Sequence, residues 1–361
     1  MIIPLLRPSV TEAEIEAVTA VLKSGWWGQG RVVEQFEKEL AERYGYAHCI
    51  TTNSATAALH LALLTNDVGP GDEVILPALT FVSTALAVSY CGATPVFADV
   101  YSDTLCMDWA DALSKQTKKT KLFLPVDYAG YPAGCSLPLL VVQDAAHSCG
   151  GIGYGQNVCF SFHPVKNLAT GNGGAILTND TEQAERLRAL RWCGINRSTW
   201  DRSRTRYGWD YDIAEIGYKY EWNDIQAAIG LAQLHRLDEI NAERRRLAQR
   251  YTSLLGGQDI ELPIDSPVHT WHLYVVRVDG RDRIVDALKA QNISAGVHYK
   301  PLTLYPMYQQ ETPPVTAREW KRLISLPVYM GLTDAEQDRI VTILLSAVTE
   351  RGVAMKGERG Q

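Results

Sequence analysis

The chain has 361 residues, 46% of them hydrophobic and 21% charged, which suits one large globular domain and a smaller second one. A formal net charge of -6 at pH 7 argues against a nucleic-acid-binding surface. The sequence has no run of about 18 apolar residues and no N-terminal signal-peptide pattern, so we expect neither a membrane span nor a secretory leader.

The first predicted elements are two helices. Thr11 and Glu14 have the spacing of a capping box, which predicts a helix start at Thr11. The glycine-bearing segment 25–30 ends this helix, and a second amphipathic helix follows to about Tyr44.

From Cys49 onward, short apolar runs alternate with helical patterns. The predicted strands are Cys49–Thr52, Glu73–Pro77, Thr94–Ala98, Lys121–Pro125, Leu139–Gln143, Val158–Phe162 and Gly174–Thr178. Predicted helices between them are Ala55–Leu64, Val82–Cys91 and Thr181–Trp192. Because the strands are apolar on both faces, we predict an α/β fold in which helices sandwich a mostly parallel mixed sheet.

The pattern changes toward the C-terminus. A long helical region is predicted over 223–255, and the triplet Arg244–Arg246 within it is expected to be a solvated face. Beyond Pro263 the predicted elements are the strands Trp271–Val278 and Ser294–Val297 and the helices Arg281–Gln291 and Thr333–Thr349. We therefore predict a large domain over residues 1–240 and a small α+β domain over residues 241–361.

Lys166 is the first candidate catalytic residue. It follows the apolar run Cys159–Phe162 and precedes the glycine-rich segment 170–174. A strand that delivers one lysine to such a turn suits a Schiff-base enzyme, because the amine must be held rigidly beside a phosphorylated cofactor. The alternative is a solvated lysine at a strand end.

The segment Thr51–Leu59 ends a strand with small polar residues and begins a helix. Free amides and the positive end of the helix dipole favour a phosphate at such a start, with the Ser54 and Thr56 hydroxyls as further donors. The alternative is an ordinary helix N-cap supplied by Asn53 or Ser54.

Two more strand ends carry candidate ligand-binding residues. Asp144 and His147 follow Leu139–Gln143 at its carboxyl end, where ligands bind in open α/β sheets. An aspartate there can keep a pyridinium nitrogen protonated, whereas the alternatives are a helix N-cap for Asp144 and a structural role for His147. Phe81 follows the strand Glu73–Pro77 and either stacks on a planar ring or closes the core.

Metal binding is not expected. His269 and His272 have HxxH spacing, but no third ligand is evident nearby and a strand would point the two side chains to opposite faces. The seven cysteines contain no CxxC pair, which favours reduced thiols in a cytoplasmic protein over a disulfide framework or zinc site.

In their order and spacing, these segments resemble the DegT/DnrJ/EryC1/StrS family of nucleotide-sugar aminotransferases, within the fold-type I, aspartate aminotransferase-like superfamily. The resemblance spans nearly the whole chain, through Asn53–His60, Gly69–Val74, Thr80–Thr84, Gly92–Phe97, Asp144–His147, Ser161–Asn167, Gly217–Tyr220 and Gly296–Tyr299. It implies pyridoxal 5'-phosphate (PLP) as the cofactor and a large PLP-binding domain.

The resemblance also implies a role for each matched residue. Lys166 would bind PLP covalently and shuttle a proton between cofactor and substrate, and Asp144 would pair with the pyridine nitrogen. Phe81 would stack on the ring, and His147 would lie near the ring hydroxyl. The residues implied to hold the phosphate are Ala55, Thr56 and Ser161.

A homodimer with shared active sites is implied by the segment around Lys219. Many members carry asparagine there, which reaches the phosphate of the neighbouring subunit, and Lys219 would act in its place as a point charge. In the small domain, His298, Tyr299 and Lys300 are expected to contact sugar or diphosphate, the alternative being that His298 and Tyr299 are packed.

The implied reaction moves an amino group from glutamate or glutamine to a nucleotide-linked keto-hexose in amino-sugar or surface-glycan synthesis. Members that dehydrate sugars have histidine at the position of Lys166, so lysine favours transamination. Ser161–Lys166 resembles enzymes that aminate C4 of UDP-sugars, whereas Gly171–Gly174 is closer to C3 enzymes, which leaves the regiochemistry open.

Two kinds of alternative stand beside this reading. One is a different enzyme on the same scaffold, either a PLP-dependent sugar dehydratase or a keto-inositol aminotransferase. The other is a catalytically silent regulatory binding protein, which the joint presence of Lys166, Asp144 and Phe81 disfavours.

Overall fold

In the computed structural model, which describes residues 2–134, 138–195, 200, 203–204 and 208–358, seven strands form the central sheet. They are β1 (His48–Thr52), β2 (Glu73–Pro77), β3 (Thr94–Ala98), β4 (Thr120–Phe123), β5 (Val142–Asp144), β6 (Asn157–Ser161) and β7 (Gly174–Thr178). The order is β3-β2-β4 and then β5-β6-β7-β1, and parallel bridges from Phe123 to Val141 and from Val126 to Asp144 join the two parts.

The sheet is mixed, and β7 is its antiparallel strand. β2 runs parallel to β3 and β4, and β5 runs parallel to β6. β7 pairs antiparallel with both β6 and β1, so that Thr52 lies opposite Gly174. The predicted α/β fold with a mostly parallel mixed sheet is confirmed.

Helices connect and cover these strands. They are α1 (Glu12–Ser24), α2 (Arg31–Tyr44), α3 (Ala55–Thr65), α4 (Val82–Tyr90), α5 (Trp109–Ser114), α6 (Thr181–Arg191), α7 (Asp224–His235), α8 (Leu237–Leu255), α9 (Arg281–Ala290), α10 (Pro314–Glu319) and α11 (Asp334–Glu358). Over the described ranges, none of the helices is long and apolar enough to cross a membrane. The predicted capping box is confirmed, because the Thr11 amide donates to the Glu14 carboxylate at 2.7 Å.

The C-terminal part has its own hydrophobic core. β8 (Tyr274–Arg277) and β9 (Leu323–Leu326) pair antiparallel, and buried residues of α8, α9 and α11 pack together with them. The boundary predicted near residue 240 falls within α8 and stays a prediction.

Among the predicted elements that differ from the structure, three lie in the C-terminal half of the chain. The helical region 223–255 is two helices, because Arg236 leaves helical geometry at φ -103 and ψ 3, with its guanidinium bound to the Glu14 carboxylate at 2.9 Å. The strand predicted over Ser294–Val297 is reduced to a bridge between Gly296 and Ser325. The strand predicted from Trp271 begins only at Tyr274.

Arg244 corrects the expectation of a solvated triplet. It lies on the buried stripe of α8 with Ile240, Leu247 and Tyr251, because residues three, four and seven apart share a helix face. Its Nη1 donates to the carbonyls of Trp271, His272 and Val328 at 3.1–3.3 Å. Only the arginines that follow it in the triplet reach solvent.

Six of the seven cysteines lie in the described part of the chain, and all six are free thiols. Five are buried, and Cys193 is exposed. Burial raises the pKa of Cys106 and Cys149 to about 12, so these thiols stay protonated at neutral pH. Cys135 lies outside the described residues.

Candidate active site

A cavity of about 380 Å³ opens where β2, β5 and β6 end. This is the edge of an open α/β sheet at which ligands bind. Nine of the predicted site residues line the cavity, namely Ala55, Thr56, Phe81, Asp144, His147, Ser161, Lys166, His298 and Tyr299. The fold therefore gathers into one site residues that are more than 100 positions apart in the chain.

The start of α3 forms one wall of the cavity. The Ser54 Oγ accepts a hydrogen bond from the Ala57 amide at 3.1 Å, so Ser54 is the helix N-cap. The amides of Ala55 and Thr56 come before the first intrahelical bond, which leaves them available to an anion. Gly174 of β7 lies so close that a Cβ there would sit 2.6 Å from the Ser54 carbonyl oxygen. Ser54 therefore caps the helix while the amides of Ala55 and Thr56 stay available to a ligand.

Asp144 ends β5 as a buried carboxylate. Its Oδ2 accepts from the Thr84 hydroxyl at 2.9 Å and its Oδ1 from the Ala146 amide at 3.2 Å. Burial raises the pKa of Asp144, and these hydrogen bonds oppose the shift. No helix begins after Asp144 and it forms no ion pair with any described residue. The helix N-cap alternative is therefore wrong.

Lys166 lies in the wall of the cavity, so the alternative of a solvated strand-end lysine is wrong. Its Nζ is 3.3 Å from Nε2 of His272. Burial lowers the pKa of Lys166 to about 7, the nearby Asp144 carboxylate opposes this, and the Arg244 charge adds to it. The unprotonated amine is therefore far more populated at neutral pH than in an ordinary lysine.

The hydrogen bonds of His147 fix its tautomer. Nδ1 accepts from the Ala129 amide at 3.2 Å, so the ring proton is on Nε2 and is donated to the Tyr299 hydroxyl at 2.9 Å. Burial lowers the pKa of His147 well below its usual value, and the Lys166 charge lowers it further. His147 is thus a neutral imidazole that leaves the Tyr299 hydroxyl proton free for another acceptor.

His272 is a cavity residue that the sequence reasoning missed. Its ring packs against His147, with 4.5 Å between ring centroids, and its Nδ1 is buried without a hydrogen-bond partner. The HxxH spacing is the signal in the sequence that points to His272, although such a spacing suggests a pair of metal ligands first. His269 instead stacks on Trp271 at 3.9 Å. Across the described residues, no group of three or more potential metal ligands occurs.

Phe81 is 54% exposed and lines the cavity, which excludes the alternative that it merely closes the core. Its ring lies 5.8 Å from the Tyr299 ring, measured between centroids. His298 also lines the cavity, and its Nδ1 lies 2.7 Å from the Ser325 hydroxyl. His298 and Tyr299 thus line the cavity and also pack against neighbouring side chains.

Two predicted residues lie outside the cavity. Lys219 pairs with Glu221 at 2.5 Å and sits 3.4 Å from the centroid of the Trp192 ring. Lys300 lines an adjoining groove rather than the cavity itself. The roles implied for both residues stay predictions.

The cavity residues fit PLP. A buried carboxylate without an ion-pair partner suits a protonated pyridine nitrogen, and an amine with a lowered pKa suits attack on a carbonyl. The start of α3 offers amides and the Thr56 hydroxyl for a phosphate, and the end of β6 offers the Ser161 hydroxyl. The exposed face of Phe81 suits a planar ring.

The lowered pKa of Lys166 predicts unusual reactivity in the apoprotein. An amine-reactive acylating reagent should modify Lys166 at pH 8 far faster than Lys118, which is exposed. The free amine of Lys166 exists above its pKa of about 7, so modification should fall as pH drops through 7. Peptide mass spectrometry measures both rates. A Lys166 rate that rises only near pH 10 would contradict the lowered pKa.

Comparison with known proteins gives consistent matches over almost the full length. Residues 8–345 match the model of the DegT/DnrJ/EryC1/StrS aminotransferase family. The chain is 37% identical to the spore coat polysaccharide biosynthesis protein SpsC of Bacillus subtilis, covering 94% of this chain and 95% of that protein.

Solved structures agree with the sequence matches. Spr1654 of Streptococcus pneumoniae, solved in PMP and PLP forms, is 30% identical in its PMP form, with a TM-score of 0.90 over 96% of this chain and 99% of that one. DesV of S. venezuelae, solved with a ketimine intermediate, is 34% identical, with a TM-score of 0.82 over 92% and 93% of the two chains.

Proposed function

Because this chain belongs to the DegT/DnrJ/EryC1/StrS aminotransferase family, we propose that it moves an amino group from glutamate or glutamine to a nucleotide-linked 3-keto or 4-keto hexose. The enzyme class follows from the family: it is a PLP-dependent sugar aminotransferase. The observation that carries the proposal is the meeting of Lys166 and Asp144 in one cavity. The name of SpsC supports a place in surface-glycan synthesis.

PLP, when bound, supplies an electron sink and carries the amino group between the two substrates. Asp144 would hold the pyridine nitrogen, Phe81 would cover the ring, and the start of α3 with Ser161 would hold the phosphate. His147 already donates its proton to Tyr299, so its contribution to the ring hydroxyl would pass through that tyrosine.

Lys166 is the residue suited to move the proton between the cofactor and the substrate. With its pKa near 7, Nζ both accepts and releases a proton at neutral pH, which a general acid–base catalyst requires. His272 faces the amine with Nε2, and burial keeps the pKa of this imidazole well below its usual value. A neutral ring at 3.3 Å can hold the ammonium by a hydrogen bond without competing for its charge.

The proposal includes a homodimer in which Lys219 reaches the phosphate site of the partner. The exposure of Lys219 outside its own cavity supports this, as do the exposed apolar side chains Ile213 (64%) and Ile216 (88%) in the same segment. We expect sedimentation to give a particle of twice the 40.0 kDa chain mass, and Ile216→Glu to weaken the association. A wild-type monomer that transaminates would overturn the shared site.

The test of the proposed function is the absorbance of the holoenzyme between about 300 and 500 nm. Glutamate or glutamine should bleach the band near 410–420 nm toward about 330 nm, and a nucleotide-linked keto-hexose should restore it. Amine in the product distinguishes this enzyme from a dehydratase, and use of a keto-inositol would identify the other alternative. A holoenzyme whose spectrum responds to no amino donor would overturn the proposal.

A further inference from the structure

Lys166 lies in a turn rather than in a helix or a strand. Residues 162–173, between β6 and β7, form neither kind of element. The Lys166 amide donates to the His163 carbonyl at 2.9 Å, which closes the turn without attaching it to a neighbouring segment. Proton transfer requires a fixed amine, because a displacement of about 1 Å can lower a rate about 100-fold. Side-chain contacts of this turn therefore decide how precisely the amine is placed.

Asn167 lies behind the wall of the cavity. It is 3% exposed and does not line the cavity, whereas its neighbour Lys166 does. Its Nδ2 donates to Oδ1 of Asn241 on α8 at 2.7 Å and to the Thr270 carbonyl at 2.8 Å. Its Oδ1 is buried and has no hydrogen-bond partner among the described residues. The two acceptors therefore set the orientation of the Asn167 amide, even though its own oxygen stays unpaired.

Asn241 extends this contact to the segment that follows His147. Its Nδ2 donates to the Cys149 carbonyl at 3.1 Å. The approach is close, because Gly150 has a φ of 91° and a Cβ there would clash with the Asn241 side chain. Asn241 thus accepts from one segment of the cavity wall and donates to another.

Thr270 connects the same contacts to His272. Its carbonyl accepts from Asn167, and its hydroxyl donates to the His147 carbonyl at 3.0 Å. Two residues further along the chain, Nε2 of His272 lies 3.3 Å from the Lys166 amine. One hydrogen-bonded network behind the cavity therefore joins the segments that carry Lys166, His147 and His272.

We propose that Asn167 and Asn241, which we call the amide pair, are positioning residues that hold the Lys166 amine beside His272 and within the cavity. Neither residue lines the cavity, so both act through Lys166 and the segments around it. Their effect on amino transfer rests on the proposed function, whereas the placement of the amine belongs to the apoprotein as well. Removal of either amide leaves buried polar groups unpaired, which loosens the turn and admits water to the amine.

The pH dependence of Lys166 acylation in the apoprotein tests the proposal. In the wild type, the modification rate should have its midpoint near pH 7, because burial lowers the pKa of Lys166 to about 7. In Asn167→Ala and Asn241→Ala, the midpoint should rise by about one pH unit or more toward the usual lysine pKa of about 10.4, because a displaced amine is better solvated. The double variant should shift the midpoint by less than the sum of the two single shifts, since both changes break the same hydrogen bond.

Gln337→Ala is the matched control. Gln337 is a buried amide on α11 that donates to the Leu247 carbonyl at 3.0 Å, and its oxygen also has no partner among the described residues. Loss of this amide should lower the melting temperature about as much as Asn167→Ala does. It should leave the Lys166 midpoint unchanged, because Gln337 connects α11 to α8 and does not line the cavity.

A shifted midpoint reports a displaced amine, because every variant keeps the titratable and charged groups that act on it. These groups are Asp144, His147, His163, Arg244, His272 and His298. Wild-type midpoints in both single variants, or an equal shift in Gln337→Ala, would overturn the proposal. If Asn167→Ala does not fold, Asn241→Ala decides alone, since the Asn241 side chain is only half-buried.

The holoenzyme gives a second readout. The amide-pair variants should lower kcat for amino uptake from glutamate about 10- to 100-fold, whereas Gln337→Ala should not. The response of wild-type cofactor absorbance to glutamate reports the proposed function separately. Shifted Lys166 midpoints in a protein whose absorbance ignores amino donors would keep the positioning role and remove the transaminase. The reverse result would keep the transaminase and remove the positioning role.

Discussion

Replacing Lys166 with alanine is expected to lower the rate of amino-group uptake from the donor by at least about 10³-fold. The variant loses the amine that binds PLP covalently and the group whose pKa near 7 suits proton transfer. The protein should still fold, because among the described residues the Lys166 side chain makes one hydrogen-bond contact, to His272. Stopped-flow absorbance with glutamate gives the rate, and circular dichroism reports the fold.

Lys118→Ala is the control for this experiment, because Lys118 is an exposed lysine that does not line the cavity. It should leave the rate within about two-fold of wild type. Borohydride reduction should fix the cofactor covalently to the protein. Peptide mapping should then find it on the peptide that contains Lys166, in the control and in the wild type. Attachment at another lysine, or a Lys166→Ala rate near wild type, would contradict the assignment.

Replacing Asp144 with asparagine is expected to lower the same rate by about 10²- to 10³-fold. Asparagine keeps the size of the side chain and one oxygen for the Thr84 hydroxyl, but it removes the negative charge from the cavity. The ring nitrogen of PLP would then lose the partner that stabilises its proton. The absorbance maximum of the bound cofactor should shift as well, which gives a readout independent of turnover.

Thr84→Val is the matched control for Asp144→Asn. It removes the hydroxyl that donates to the carboxylate at 2.9 Å and leaves the charge in place. We expect a loss of only about 2- to 10-fold, in keeping with one hydrogen bond to a charged group. If Thr84→Val were as damaging as Asp144→Asn, the carboxylate would act through its position rather than through its charge.

The sequence was sufficient to predict those helices and strands whose bounds are set by their own residues. Strand bounds such as Glu73–Pro77 and Thr94–Ala98 agree with the prediction, because each is a short apolar run between turn residues. The helical region predicted over 223–255 is divided at Arg236, whose guanidinium binds the carboxylate of Glu14, more than 200 residues earlier. The local pattern of apolar residues does not indicate a contact with a residue so distant in the chain.

Of the residues at the site, some could be predicted from the sequence and others could not. That Lys166, Asp144 and Phe81 lie around one cavity was predictable, because each lies at or beyond the carboxyl end of a strand, at the edge where ligands bind. His272 was missed because it precedes its strand, and only the packing of the C-terminal core brings it to the amine. Arg244 was misjudged because a triplet of arginines indicates a solvated face, while the helix period places its first member inside.

The pairing of β1 with β7 also constrains how the protein is made. β1 is an edge strand that finds its antiparallel partner about 125 residues later in the chain. At ribosomal rates of about 5–20 residues per second, Thr52 waits roughly 6–25 s for Gly174 to be synthesised. During that interval β1 and the start of α3 lack the hydrogen bonds to β7 that hold them in place, so this corner of the cavity is completed only when β7 has been synthesised. Slow codons or a stalled ribosome before residue 174 should therefore expose this segment to chaperones and to aggregation.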